Sequence, residues 1–159
     1  MKAPVGRDAI FELYGDPTPL VGEDGHVSSI WEARMVPVRL PGPLPLGWDE
    51  NVFARSVRVH QTIDDVVRET FDALVVHWSS LRTYDGGYVW RTQRGSSKKL
   101  SMHSFGAALD FNAATNRQGS PGNMHPSIVA VFEAHGWTWG GRFRESRVDP
   151  MHFQFGSGY

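Results

Sequence analysis

An α+β domain, with a mainly antiparallel small sheet flanked by helices, is the fold class this sequence predicts. Three observations predict it: two segments carry helical periodicity, about five or six short segments carry strand character, and the two kinds do not follow the strict βαβ alternation of a parallel sheet. A chain of 159 residues fits one domain with one core. Hydrophobic residues at 40% and charged residues at 21% are ordinary for a globular protein and argue against disorder.

Taken in order, the first 50 residues are rich in turn formers: Gly15-Asp16-Pro17, Gly22 to Gly25, and Pro41-Gly42-Pro43 with Pro45. They read as loops around one strand, Arg34 to Leu40, and a second strand is expected from Arg55 to Val59. Ile63, Val66, Val67, Phe71, Leu74, Val75 and Trp78 sit close to the i, i+3/i+4 template and predict a helix from Ile63 to Trp78. Thr62 is placed to cap it, with Asp64 and Asp65 in the first turn, where acidic side chains suit the helix dipole. A shorter helix follows Pro126, with Ile128, Val129 and Phe132 on one side and Gly136 as a stop. Tyr88 to Trp90, Ala107 to Phe111, Trp137 to Trp139 and Met151 to Phe155 are the remaining strand candidates.

Composition removes several function classes. The formal net charge is −1, so no global field draws the chain to nucleic acid or to an anionic membrane. Cysteine is absent, which excludes disulfides, thiolate metal sites and a cysteine nucleophile. No stretch approaches the roughly 20 apolar residues of a membrane span, so membrane insertion is not expected. The N-terminus lacks an apolar signal core, which suggests a chain that is cytoplasmic as made. There is no internal repeat.

The chemistry is concentrated in Ser101-Met102-His103-Ser104-Phe105-Gly106-Ala107-Ala108-Leu109-Asp110 and in Asp149-Pro150-Met151-His152-Phe153. A zinc site without thiolates needs imidazole nitrogen and carboxylate oxygen, and a catalytic one keeps three protein ligands and an open position. His103, Asp110 and His152 supply such a set, and two neutral imidazoles with one carboxylate leave the site a net positive charge. Gly106 allows the tight turn that lets a loop residue and a strand residue face one ion. Asp149, three residues before His152, is placed to sit beside the metal as a general base. A guanidinium near the scissile carbonyl would stabilise the developing oxyanion, and Arg91 and Arg94 are the candidates.

These two motifs resemble those of the zinc D-alanyl-D-alanine carboxypeptidases and L-alanyl-D-glutamate endopeptidases, the VanY/VanX-like peptidases that include many phage endolysins. The family pattern is S-x-H-x-x-G-x-A-x-D followed by D/E-x-x-H. Ser101, His103, Gly106, Ala108 and Asp110 fill its first part and Asp149 and His152 its second, with Gly-Trp-Thr-Trp-Gly-Gly at 136–141 between them. The resemblance runs from about Tyr84 to Phe155. It implies a Hedgehog/D-Ala-D-Ala-peptidase-like fold, one zinc per chain on His103, Asp110 and His152, Asp149 as base, and Arg91 as the substrate-binding and oxyanion-stabilising arginine. Ser101 would bind a substrate carboxylate or shape the turn. An aspartate at the base position is closer to the endolysin-like branch and favours the endopeptidase reaction. The implied partner is bacterial peptidoglycan peptide, met by a monomer that is one domain over 1–159, with N-terminal loops and strands over 1–60 and a catalytic core over 84–155. Release by a phage holin-type route would bring it to the wall.

Plainer readings stand beside these. His26, His60, His77, His125 and His135 are expected to be surface or satisfied core histidines, and Trp137 and Trp139 plain core, unless one of the two lines the cleft. The basic run Arg91, Arg94, Lys98, Lys99 reads as a solvated loop or as an attractor of acidic peptide stems. Asn112 and Asn116 are expected to make turns. No Gly-x-Ser-x-Gly elbow supports a serine hydrolase. A D-Ala-D-Ala carboxypeptidase with the same site, and a metal-bearing cell-wall-binding module that has lost catalysis, are the alternatives.

Overall fold

The computed structural model describes residues 1–93, 96, 99–144 and 147–158. Strands β1 (Met35–Leu46) and β2 (Asp49–His60) form a long antiparallel hairpin. β3 (Tyr84–Gly86), β4 (Ala108–Phe111), β5 (Thr138–Trp139) and β6 (His152–Gln154) complete one six-stranded sheet, ordered β2-β1-β3-β4-β6-β5. Every pairing is antiparallel except that of β1 with β3, which touch in parallel at Leu46 and Tyr84. The helices are α1 (Arg7–Tyr14), α2 (Ser29–Glu32), α3 (Asp64–Leu74) and α4 (Pro126–Ala134), with α3 packed on β1 and α4 on β5. The α+β class expected from the sequence is the one observed. No helix among the described residues is long and apolar enough to cross a membrane.

The N-terminal 50 residues depart from the loop reading. They contain α1, whose Ile10 and Tyr14 are fully buried, and a β1 that runs to Leu46 instead of ending at Leu40. Pro41 and Pro43 did not break the strand because the β1–β2 ladder shifts register between Arg39 and Leu44. Pro41-Gly42-Pro43 falls in that bulge, where a missing N–H breaks no ladder bond. β2 likewise begins earlier than expected, at Asp49.

Residues 64–74 keep the α-helix predicted for 63–78, but Val75–Ser80 tightens to a 3-10 helix. Thr62 does not cap α3. The His60 ring accepts from the Thr62 N–H instead, which caps the short 3-10 turn Gln61–Ile63. Tyr88 to Trp90 is not a strand; the strand in that region is Tyr84–Gly86. Val89 donates to the His103 carbonyl, and the Ser104 hydroxyl reaches the Val89 and Arg91 carbonyls, so this extended segment is fastened to a 3-10 turn rather than to a ladder.

The core lies under β4 and β6, where Phe111, Phe132, Phe153 and Phe155 are fully buried and Phe132 stacks on Phe153 with ring centroids 4.1 Å apart. Trp137 is core, and its indole N–H donates to buried Thr70 at 3.0 Å. Trp139 is half-buried at the margin, donating to the Pro150 carbonyl at 2.8 Å. Two buried side-chain bonds tie the N-terminal segment to the C-terminal half: Tyr14 Oη to the Phe155 carbonyl at 2.7 Å, and Trp31 Nε1 to the Ser104 carbonyl at 3.0 Å. The second ends beside His103.

Candidate metal centre

His103 sits on the 3-10 turn Met102–Phe105, between an N-cap and a left-handed glycine. Ser101 Oγ accepts from the His103 N–H at 3.4 Å, and Gly106 leaves the turn at φ 62°. A Cβ on Gly106 would lie 2.5 Å from Met35 Sδ and 2.7 Å from the His60 nitrogen, so packing as well as backbone conformation demands glycine there.

Asp110 and His152 meet through sheet register. They are direct antiparallel partners on β4 and β6, and partners share one face of a sheet. His152 Nδ1 lies 2.9 Å from Asp110 Oδ1, and His103 Nε2 lies 3.2 Å from Asp110 Oδ2. The two imidazole centroids are 5.0 Å apart. Ligand atoms from all three residues lie within 4.8 Å of one another, so the structure brings together the three side chains expected to share a metal. The sequence placed His103 on a loop; it is on the 3-10 turn.

The donor set fits a divalent cation. His103 Nδ1 is 2.7 Å from the Gly87 carbonyl, which can only accept, so that nitrogen carries the proton. With the ring neutral, Nε2 then presents a lone pair to a carboxylate oxygen. This buried Nε2 makes no hydrogen bond among the described residues. Two acceptors facing each other in a buried site call for positive charge between them, supplied by a proton on the imidazole or by a bound cation. Burial works against charge on Asp110, but the neighbouring His103 and His152 imidazoles outweigh it and hold the carboxyl below the usual carboxylate range. Burial also opposes a charge on His152, yet Asp110, Gln154 and Asp149 together raise its pKa.

The centre lies in a cleft of about 820 Å³. Asp149, half-buried, lines it from the loop before β6. Its backbone is fixed at both ends: its N–H donates to the Gly140 carbonyl at 2.9 Å, and its carbonyl accepts from His152 at 3.0 Å. Gly140 permits this approach, since a Cβ there would stand 2.3 Å from the Asp149 carbonyl oxygen and 3.1 Å from His152 Cβ. That contact accounts for a glycine at the end of the 136–141 run.

Arg91 and Ser101 also line the cleft. Arg91 is held by its backbone, which donates to Ser104 Oγ at 2.8 Å and accepts from the Ser101 N–H at 3.0 Å. Arg94 and Lys98 lie outside the described residues. Lys99, Arg142, Arg144 and Arg147 add further cations to the lining, and Arg142 is paired with Glu133. The sequence reading did not single out Gln154, the Gly87 carbonyl or the arginines at 142–147. Only Gln154 carried a local signal, because residue i+2 on a strand shares the face of His152.

Among the plainer expectations, His125 caps α4 and His135 Nδ1 meets the Val131 carbonyl at 2.8 Å. Asn112 opens the turn after β4 at φ 56°, and its carbonyl accepts from the Thr115 N–H and from Asn116 Nδ2, as expected of turn residues, while its side-chain oxygen also accepts from the distant Arg82 and Thr83 N–H groups. His60 is buried, with its Nε2 lacking a hydrogen-bond partner among the described residues. Burial and the nearby Arg34 charge push its pKa down to about 4.

Residues 94–155 match a family model described as D-alanyl-D-alanine carboxypeptidase, which supports the resemblance drawn from the two motifs. The matched segment contains His103, Asp110, Asp149 and His152. No curated protein and no solved structure matches the chain.

Proposed function

We propose that this chain, whose C-terminal half carries the D-alanyl-D-alanine carboxypeptidase family match, is a zinc-dependent hydrolase of peptidoglycan stem peptides acting as an L-alanyl-D-glutamate endopeptidase. The observation that carries the reading is the bare, buried Nε2 of His103 turned towards Asp110, with His152 against the other carboxylate oxygen. His103, Asp110 and His152 would hold one zinc per chain. Zinc, when bound, lowers the pKa of water towards 7 and polarises a carbonyl.

Asp149 accepts the proton of the attacking water and returns it to the leaving amine. Its place on the cleft wall, fixed through Gly140 and His152, suits that role. Arg91 stabilises the negative charge that develops on the carbonyl oxygen. Ser101 caps the His103 turn and faces the cleft, where it can also meet a substrate carboxylate. The surplus of cations along the cleft suits an acidic stem peptide. We read residues 1–159 as one monomeric peptidase domain, in which 84–155 carries the site and 1–60 braces it through Trp31 and Tyr14.

The choice of bond follows from aspartate rather than glutamate at the base position. The description of the matched family favours the second reading, removal of a terminal D-alanine by the same residues. Mass spectrometry of digested muropeptides separates the two: release of L-alanine-capped fragments is expected, and loss of a single terminal alanine would reject the endopeptidase. Asp149→Ala should abolish cleavage while zinc stays near one per chain. Cleavage that survives the change would remove Asp149 from the mechanism, and a wild-type chain that binds zinc without cleaving would leave a binding module.

A further inference from the structure

Gln154 sits two residues after His152 on β6, on the same face of the strand. Its Nε2 lies 2.7 Å from the Gly156 carbonyl, and its Oε1 lies 3.0 Å from His152 Nε2. A backbone carbonyl only accepts, so the amide nitrogen must face Gly156. The amide oxygen therefore faces His152, and an oxygen there requires a proton on His152 Nε2. The nitrogen left to face Asp110 is Nδ1, at 2.9 Å.

His103 is arranged in the opposite sense. Its Nδ1 donates to the Gly87 carbonyl, leaving Nε2 turned to Asp110. The two imidazoles thus approach one carboxylate through different nitrogens, and each is fixed by a fully determined acceptor behind it. One acceptor is backbone and cannot be lost by substitution. The other is the Gln154 side chain.

We propose that Gln154 is a positioning residue that sets the His152 tautomer, so that His152 binds the metal through Nδ1 while His103 binds through Nε2. The proposal rests on the metal reading of this site. Acceptors behind metal-bound imidazoles typically contribute 10- to 100-fold in metal affinity. Gln154 is the residue of this chain with that task for His152.

The test uses the full chain loaded with cadmium-113, read by nitrogen-15 NMR, and zinc affinity measured by chelator competition. Cadmium–nitrogen coupling is expected at Nδ1 of His152 and Nε2 of His103. Gln154→Leu, which removes the acceptor, should weaken zinc binding roughly 10- to 100-fold and disturb the His152 coupling. Gln154→Glu keeps an accepting oxygen but lacks the N–H that Gly156 takes, so it should retain near wild-type affinity and coupling at Nδ1. Coupling through His152 Nε2 in the wild type would overturn the proposal, and that measurement stands even if Gln154→Leu does not fold. It would also be overturned if Gln154→Leu bound zinc within about twofold of wild type, or if Gln154→Glu fell as far as Gln154→Leu. A wild-type chain that takes up no metal would overturn the reading of the site and this proposal with it.

Discussion

Replacing Gly106 by alanine tests how the turn that presents His103 is held. Gly106 lies at φ 62°, a left-handed conformation that costs an L-residue roughly 1–2 kcal/mol. The added methyl would also meet Met35 Sδ at 2.5 Å and the His60 backbone nitrogen at 2.7 Å. The sulfur can move, but the nitrogen belongs to the end of β2 and donates to the Gly106 carbonyl at 3.0 Å. Overpacking of this kind costs about 1–3 kcal/mol, so the total is about 3 kcal/mol or somewhat more. For a domain of this size each kcal/mol lowers Tm by roughly 2–4 °C, which gives a fall of about 10 °C. Gly119 supplies the control: its φ is 80°, yet a Cβ there meets nothing within 4 Å. Gly119→Ala should therefore lose only the conformational part, about 1–2 kcal/mol. Thermal unfolding of both variants in chelator, followed by zinc titration, separates the contributions. Gly106→Ala should unfold several degrees below Gly119→Ala and bind zinc more weakly, because its strain falls on the His103 turn. Equal Tm values for the two variants would refute the argument from crowding.

Two further outcomes follow from buried groups. His60 has its pKa lowered to about 4 in the folded chain, so between pH 6.5 and about 4 the unfolded chain takes up a proton that the folded chain refuses. Stability should fall as pH drops through that window, by up to roughly 1.4 kcal/mol per pH unit from this group, and His60→Gln should show a shallower slope in denaturant titrations; identical slopes would remove His60 as the cause. Trp31→Phe deletes the buried bond from Nε1 to the Ser104 carbonyl and should cost about 1–3 kcal/mol by urea unfolding. Zinc affinity should weaken with it, whereas an unchanged midpoint would show that the N-terminal segment does not brace the site.

The site was more legible in the sequence than the fold around it, for a physical reason. Ser101, His103, Gly106 and Asp110 are local: one capped turn, one left-handed glycine and the first residues of β4 bring them together within ten positions. The pairing of Asp110 with His152 depends on register across 42 intervening steps of chain, and here the resemblance supplied what spacing alone does not. The N-terminal segment was misread because its signals are weak or inverted. α1 has only eight residues, too few for a periodic pattern, and Pro41 and Pro43 of β1 are turn formers until a bulge makes them harmless. Tyr88 to Trp90 has strand composition but takes its hydrogen bonds from the His103 turn, a partner invisible to local pattern. Thr62 looked like the cap of α3, but its hydroxyl lies 2.9 Å from His60 Nδ1 and the helix begins one residue later, at Asp64 after Ile63.

Metal content per chain, measured after dialysis against trace zinc, tests the shared centre of His103, Asp110 and His152 most directly. One zinc per wild-type chain is expected, with tight binding lost on changing any one of His103, Asp110 or His152 to alanine while His135→Ala keeps it. A wild-type chain that retains no zinc, or single variants that each still hold one, would contradict it.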